Sequence, residues 1–375
     1  MKIKLIEKIL VLGILIFMSG TGVVSALNGS SITNFQPMNL GNWLYVGGSN
    51  PGNYSTIQEA IGNASNGDTV FVYDDMSPYQ ENIRINKQIF VIGENRDTTI
   101  ISGVTGQDHV VRINYKNIEL KGFTIIGNAS GQDGITVYPL MELCTISNNI
   151  IKDSDYGIFL QATSSRITIS NNIILNNDFQ GIFLQESDRN IISGNTIEGN
   201  GDFGIVFDLI SKQNLIDNNT IDNNFGGIQL SSSSSQNNIS GNQVTNNNME
   251  GIAIKGILST VNEIEGNNIT NNNIGLKISS GGKNIITSNN FKNNIRTGLQ
   301  LSGSNDNIVK MNNFMDNRQN ARFVFSSRTI WDENYWDDWI GIRFEAPIFK
   351  NFPKTIRGFI FRNYDKNPQE EPYDI

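Results

Sequence analysis

The sequence predicts an all-β fold: a solenoid of stacked coils, 23–24 residues each, with three short strands per coil. Three observations lead there. Gly134, Gly157, Gly181, Gly204, Gly227, Gly251, Gly275 and Gly298 recur at spacings of 23, 24, 23, 23, 24, 24 and 23 residues. A period that constant marks repeats that bury their apolar faces only against their neighbours. Each repeat also divides into short alternating pieces, for example 190–192, 195–197 and 204–207. These fit three strands separated by turns and carry no helical spacing. The third observation is asparagine in register. One column is Asn149, Asn172, Asn195, Asn219, Asn242, Asn267, Asn289 and Asn312, and a second runs Asn177, Asn200, Asn224, Asn247, Asn272, Asn294 and Asn317. Stacked amides bond along the axis, and Asn tolerates the left-handed backbone of a tight corner, so both columns read as structural.

Composition narrows the function classes. The 375 residues include 36 Gly and only 8 Pro, and charged residues make up 17%. Asn, Ser and Gly cover the surface instead. A formal charge of −8 argues against nucleic acid or an anionic membrane as the main partner. A single cysteine, Cys144, excludes an internal disulfide framework. It falls in the column of Asn190 and Asn214 and reads as a packed thiol.

In chain order, residues 1–26 read as a Sec-type secretory signal. Lys2, Lys4 and Lys8 precede an apolar run over 9–18, and Val24-Ser25-Ala26 fits a cleavage site. The run is short for a membrane span, so membrane contact is expected only through an uncleaved signal anchor. The protein is therefore expected outside the cell or on its surface. Residues 27–45 read as a linker, and 46–325 as the solenoid with its N-terminal cap. Within that span, 54–67 is the one helical stretch. Ile57, Ala60, Ile61 and Ala64 share a face, Thr56 and Glu59 form a capping box, and Gly67 is the stop. This capping helix is expected to close the open end, since an unpaired edge invites aggregation. Irregular strands over 70–127 precede the regular coils. Two inner ladders are expected: Ile151, Ile174, Ile197, Ile221, Val244, Ile269, Phe291 and Phe314, then Leu160, Leu184, Phe207, Leu230, Ile254, Ile278 and Leu301. Residues 326–375 read as an aromatic-rich C-terminal cap. Trp331, Trp336, Trp339, Phe344, Phe349, Phe352, Phe359 and Phe361 interleave there with Lys350, Lys354, Arg357 and Arg362.

Four segments carry a family resemblance: Thr56-Ile57-Gln58-Glu59-Ala60-Ile61, Gly67-Asp68-Thr69-Val70, Tyr79-Gln80-Glu81-Asn82-Ile83 and Ile92-Gly93-Glu94-Asn95. Together they look like the opening of right-handed parallel β-helix proteins. The Asn-rich repeats and Asn334-Tyr335-Trp336-Asp337-Asp338-Trp339 resemble the NosD-type branch, common among archaeal surface proteins. The resemblance implies a right-handed parallel β-helix. Its members include carbohydrate-active enzymes, surface-layer-associated proteins and an accessory factor for copper delivery. Copper needs clustered His, Cys or Met. Here His109 and Cys144 are single, and Met311 and Met315 are the only close methionine pair among the scattered later ones.

Two sets of residues are candidates for chemistry. Asp155, Asp178 and Asp202 precede the period-marking glycines and are expected to stack on adjacent coils, about 4.8 Å apart. Glycosidases work with two carboxylates at separations of about 5–9.5 Å, which such a stack supplies. Three close carboxylates also suit Ca²⁺. The bland reading is a turn where Asp favours the backbone geometry. The second set centres on Phe159 and Phe183, outward and one coil apart, where sugar rings pack on aromatic faces. Gln161, Gln185, Glu186, Asp188 and Asp208 border them, and Arg166 and Arg189 are placed to hold an acidic sugar. The leading expectation is a secreted or cell-surface protein that binds polysaccharide or builds the cell envelope, without catalysis. The alternatives are a glycoside hydrolase or polysaccharide lyase, and a NosD-like factor in copper-enzyme maturation.

Overall fold

The computed structural model describes residues 41–128, 130–339, 354–358 and 362–375. The expected signal at 1–26 and the linker through residue 40 lie outside them. So do Phe344, Phe349, Lys350, Phe352, Phe359, Phe361 and the side chain of Arg357.

The chain winds through three sheets of 15, 12 and 11 strands, and successive strands pass from one sheet to the next. Pairing between coils is parallel, and the inner ladders stand in register. Ile174 pairs with Ile151 and Ile197, and Leu184 pairs with Leu160 and Phe207. All of these side chains are fully buried. Burying each one contributes about 1.5–3 kcal/mol, and no coil does so without its neighbours. Near the C-terminal end the interior turns aromatic: Phe291, Phe314 and Trp336 stack at 5.0 and 4.3 Å between ring centroids.

The asparagines tie the corners together. Backbone N and Nδ2 of one ladder Asn both donate to Oδ1 of the next. Asn195, for example, reaches Asn219 at 2.9 Å through each, and its Nδ2 also donates to the Ile169 carbonyl at 2.9 Å. Each amide thus satisfies backbone groups that a corner would otherwise strand in the interior. A third ladder, Asn190, Asn214, Asn237, Asn262, Asn284 and Asn307, bonds in the same way. Cys144 lies in the same column, separated from Asn190 by Ile167: burial pushes the thiol up, and Sγ donates to the Tyr115 carbonyl at 3.4 Å. The left-handed corner belongs to the residue before the ladder Asn. Asn171 and Asn218 have φ of 56° and 54°, and Gly194 takes the same place at 65°.

The helix spans Ile57–Asn63, shorter than 54–67. Its cap is also built differently from a local capping box. Thr56 accepts from Glu59 N, but the Glu81 carboxylate, a coil away, accepts from Ile57 N and Gln58 N at 2.8 and 2.9 Å. Lys87 Nζ donates to the carbonyls of Ile61, Gly62 and Ala64. The helix packs on Ile83–Ile85, the last strand of the 11-stranded sheet. There the Gln58 side chain bonds both the N–H and the carbonyl of Arg84, as a further strand would. The 15-stranded sheet continues beyond the helix to Trp43–Val46, which pairs with Thr69–Val72, so the coil begins inside the segment expected to be linker. At the other end, Ile330–Asp332 and Tyr335–Trp336 still pair in register, which carries the solenoid past residue 325. Trp331 and Trp336 fill inner ladder positions there, and that is why aromatics replace isoleucine. Lys354–Arg357 and Arg362–Asp365 then form an antiparallel pair.

One pH dependence follows from the first coils. Burial, and then the negative charges of Asp75, Glu81, Asp74 and Glu94, push the Tyr79 phenol up to about 12. A phenol whose pKa is raised in the folded state stabilises fully below its unfolded value and loses that contribution as pH rises through the folded one. Between pH 10 and 12 the wild type should therefore lose more stability than Tyr79→Phe. Urea unfolding of the two chains across that range measures the difference, and parallel curves would refute the assignment.

Candidate functional site

The outward face of the 11-stranded sheet gathers the unusual side chains. Each strand presents three outward positions, and the coil register aligns them into three columns. His109, Asp133, Tyr156 and Gln180 stand in the first, and Arg112, Thr136, Phe159 and Phe183 in the second. Tyr138, Gln161, Gln185 and Asp208 stand in the third.

At the centre lies an aromatic platform. The Phe159 and Phe183 rings stack at 5.1 Å, and Tyr156 lies 5.4, 5.4 and 5.5 Å from Phe159, Phe179 and Phe183. Phe179 is 45% exposed, so the platform opens to solvent. Phe183 continues onto Phe203, Val206 and Ala253, and Lys255 Nζ sits 5.3 Å over the Phe203 ring. The Gln161 and Gln185 amides flank the stacked pair and make no side-chain hydrogen bond among the described residues. They are the expected polar border. Asp208 is in the same column and accepts from Ser231 Oγ at 2.9 Å. Glu186 and Asp188 lie in the turn leaving the face, and Asp188 there accepts from Lys212 N at 2.7 Å. Arg166 and Arg189 stand at the next corner, leading into the 15-stranded sheet. Arg166 pairs with Glu142 at 3.2 Å and Arg189 with Gln213 at 3.0 Å. They are not beside Phe159 and Phe183.

The three aspartates do not form one column. Coil 177–181 carries Gln180 and coil 200–204 carries Gly201 as an extra residue before the glycine. Asp178 therefore follows Asp155, Gly201 follows Asp178, and Asp202 falls opposite Phe179. Asp178 is exposed, Asp155 accepts from Gly131 N at 2.9 Å, and Asp202 accepts from Gln180 Nε2. Among the described residues no three His, Cys, Asp or Glu side chains gather where they could hold a metal ion. The calcium cage expected of the stacked aspartates is thus not assembled. What does converge is on Tyr156. Burial pushes its phenol up, and the carboxylates of Asp133, Asp155 and Asp202 push it further.

Next to the platform is a network that sequence reasoning missed. Thr136 Oγ1 donates to Asp133 Oδ2 at 2.8 Å, leaving its oxygen to accept from His109 Nδ1 at 3.2 Å. A single ring proton on Nδ1 leaves the lone pair on Nε2, 3.0 Å from Tyr138 Oη, which then donates to it. Arg112 lies over the Tyr138 ring with Cζ 3.6 Å from the centroid. The Asp133 carboxylate thus bears on the His109 tautomer through the Thr136 hydroxyl, and the Tyr138 phenol is hydrogen-bonded to the other ring nitrogen. In the sequence His109 is only a single histidine, because the signal for this cluster is the coil register, which is irregular in that part of the chain.

Comparison with known proteins follows the same lines. Residues 105–256 match the family model of the right handed beta helix region, and residues 200–341 that of the periplasmic copper-binding protein (NosD). A cell surface glycoprotein of Methanothermus fervidus is 35% identical over 101 residues, which is 27% of this chain and 16% of that protein. In fold, the chain resembles an A-module of mannuronan C-5 epimerase from Azotobacter vinelandii. The TM-score is 0.63 at 16% identity, covering 74% of this chain and 88% of that one. It also resembles DFA-IIIase from Arthrobacter chlorophenolicus A6 without its lid in complex with GF2, with a TM-score of 0.64 at 12% identity over 78% and 94%. The chain is a right-handed parallel β-helix protein. Over residues 200–341 its repeats resemble those of the NosD family. The described residues do not fit a copper site. Cys144 is buried, both His109 nitrogens are engaged by hydroxyls, and Met311 and Met315 have neither beside them.

Proposed function

We propose that this is a cell-envelope protein whose aromatic face binds polysaccharide. The observation that carries the reading is the platform of Tyr156, Phe159, Phe179 and Phe183 bordered by the uncommitted amides of Gln161 and Gln185. Flat rings supply apolar area for the faces of pyranose rings, and amides supply donors and acceptors for hydroxyls. The likeness to a cell surface glycoprotein, the periplasmic description of the matched family and the export signal read at 1–26 support an extracellular or envelope location. A second reading, an enzyme acting on the bound glycan, is favoured by the His109–Tyr138 pair beside the platform.

Glycan-array screening followed by titration of the best ligand tests both. Phe159→Ala and Phe183→Ala should each weaken binding roughly tenfold, and because both rings are half-buried, binding is compared at a temperature where a melt shows each variant folded. Unchanged binding in both variants would remove the platform from the ligand site. Incubation with the bound glycan separates the two readings. Modified or shortened chains that vanish with Tyr138→Phe establish the enzyme, and intact glycan after prolonged incubation leaves binding alone.

A further inference from the structure

The same face ends, toward the C-terminal coils, in a concentration of positive charge. Its second outward column continues from Phe159 and Phe183 through Lys277 and Gln300 to Arg322. There Arg296, Arg318, Arg322 and Arg362 line a cleft of about 1080 Å³. None of these four guanidinium groups makes an ion pair or a side-chain hydrogen bond among the described residues. The cleft's own carboxylates are already engaged. Asp338 pairs with Lys354 at 2.6 Å and accepts from Asn320 Nδ2 at 2.8 Å. Asp337 accepts from Asn320 Nδ2 at 2.7 Å and from Asp316 N. The lining carries these four arginines and Lys354 against Asp337 and Asp338, so it keeps a net positive charge in a chain whose formal charge is −8. Elsewhere Arg328 pairs with Asp306 and Arg166 with Glu142.

We propose that this cleft binds the carboxylates of an acidic polysaccharide, a polyuronate, lying along the face. The inference rests on the glycan-binding reading and names its substrate class. A guanidinium presents a rigid fork that matches a carboxylate with two parallel N–H···O bonds, and Lys lacks that fork. Arg166 and Arg189, expected from the sequence to hold an acidic sugar, are at a corner and already paired, and the cleft arginines take that role.

The test compares polygalacturonate with dextran, a neutral glucan, on the full chain by calorimetric titration at two salt concentrations. Polygalacturonate should bind more tightly, and its affinity should fall as salt rises. Arg318→Ala and Arg322→Ala should each weaken it roughly tenfold, with Arg322→Lys in between and dextran unaffected. Phe159→Ala should weaken both glycans. Arg318 and Arg322 are exposed, so these variants should melt with the wild type. Polygalacturonate binding that survives the Arg variants but not Phe159→Ala would overturn the cleft and spare the platform. The reverse would overturn the platform and support the cleft. Equal affinity for the two glycans, or tighter binding of a single-stranded nucleic acid of equal charge, would overturn the inference.

Discussion

Asn219→Leu should cost the protein about 3–6 kcal/mol, although the side chain is about the right size and leaves no charge behind. Asn219 Oδ1 accepts from Asn195 N and Nδ2, both at 2.9 Å, while its own Nδ2 donates to the Ile192 carbonyl at 2.9 Å and to Asn242 Oδ1 at 3.0 Å. All of these groups lie in the interior, where no water takes over. Each orphaned donor or acceptor costs about 1–3 kcal/mol, which outweighs what a buried leucine returns. Because each coil touches only its neighbours, the damage should stay local. Urea unfolding gives the magnitude, and hydrogen exchange should accelerate mainly in the coils around Asn195, Asn219 and Asn242. Asn218→Gly is the control. Asn218 has φ of 54° at an exposed corner where other coils carry Gly194, Gly241 and Gly266, so that change should stay within about 1 kcal/mol. Equal losses for the two variants would deny the ladder its structural role.

Asp365→Ala should be nearly as damaging, by about 3–5 kcal/mol. The first Asn ladder runs through Asn312 to Asn334 and then meets no further asparagine. Asp365, fully buried, takes the next place. Its Oδ2 accepts from Asn334 N at 3.1 Å, Asn334 Nδ2 at 2.9 Å and Trp336 Nε1 at 3.0 Å. A ladder that passes acceptors forward must end on a group with no donor of its own to strand, and a carboxylate is such a group. Asp365→Asn restores the acceptor but adds amide protons, so its loss should be smaller than that of Asp365→Ala. Thermal melts followed by tryptophan fluorescence report both, since Trp336 is a direct partner. If Asp365→Asn proved the more harmful, the charge itself rather than the acceptor would be what the ladder end requires.

Much of this interior could be read before any coordinates. Pairs such as Ile174 with Ile197 and Phe291 with Phe314 are one period apart in the chain and one coil apart in space. The corners were harder. A one-residue insertion there leaves the strands in register but changes which outward residue lies above which, and so Gln180 and Gly201 separated Asp155, Asp178 and Asp202. The polar network was harder still. His109 lies 27 residues from Thr136 and 29 from Tyr138, separations that match no repeat spacing.

The sequence by itself determined the coil, its period and the columns that fill it. An interior position sees only its equivalents above and below, so repetition along the chain becomes contact in space. Tertiary structure alone decided which outward groups meet. It placed Asp133 rather than Asp178 near Tyr156, left four arginines of the last coils and the terminal hairpin in one cleft, and set Asp365 at the end of an asparagine ladder. On the outside no repeat constrains the neighbours, and the geometry of each corner chooses them.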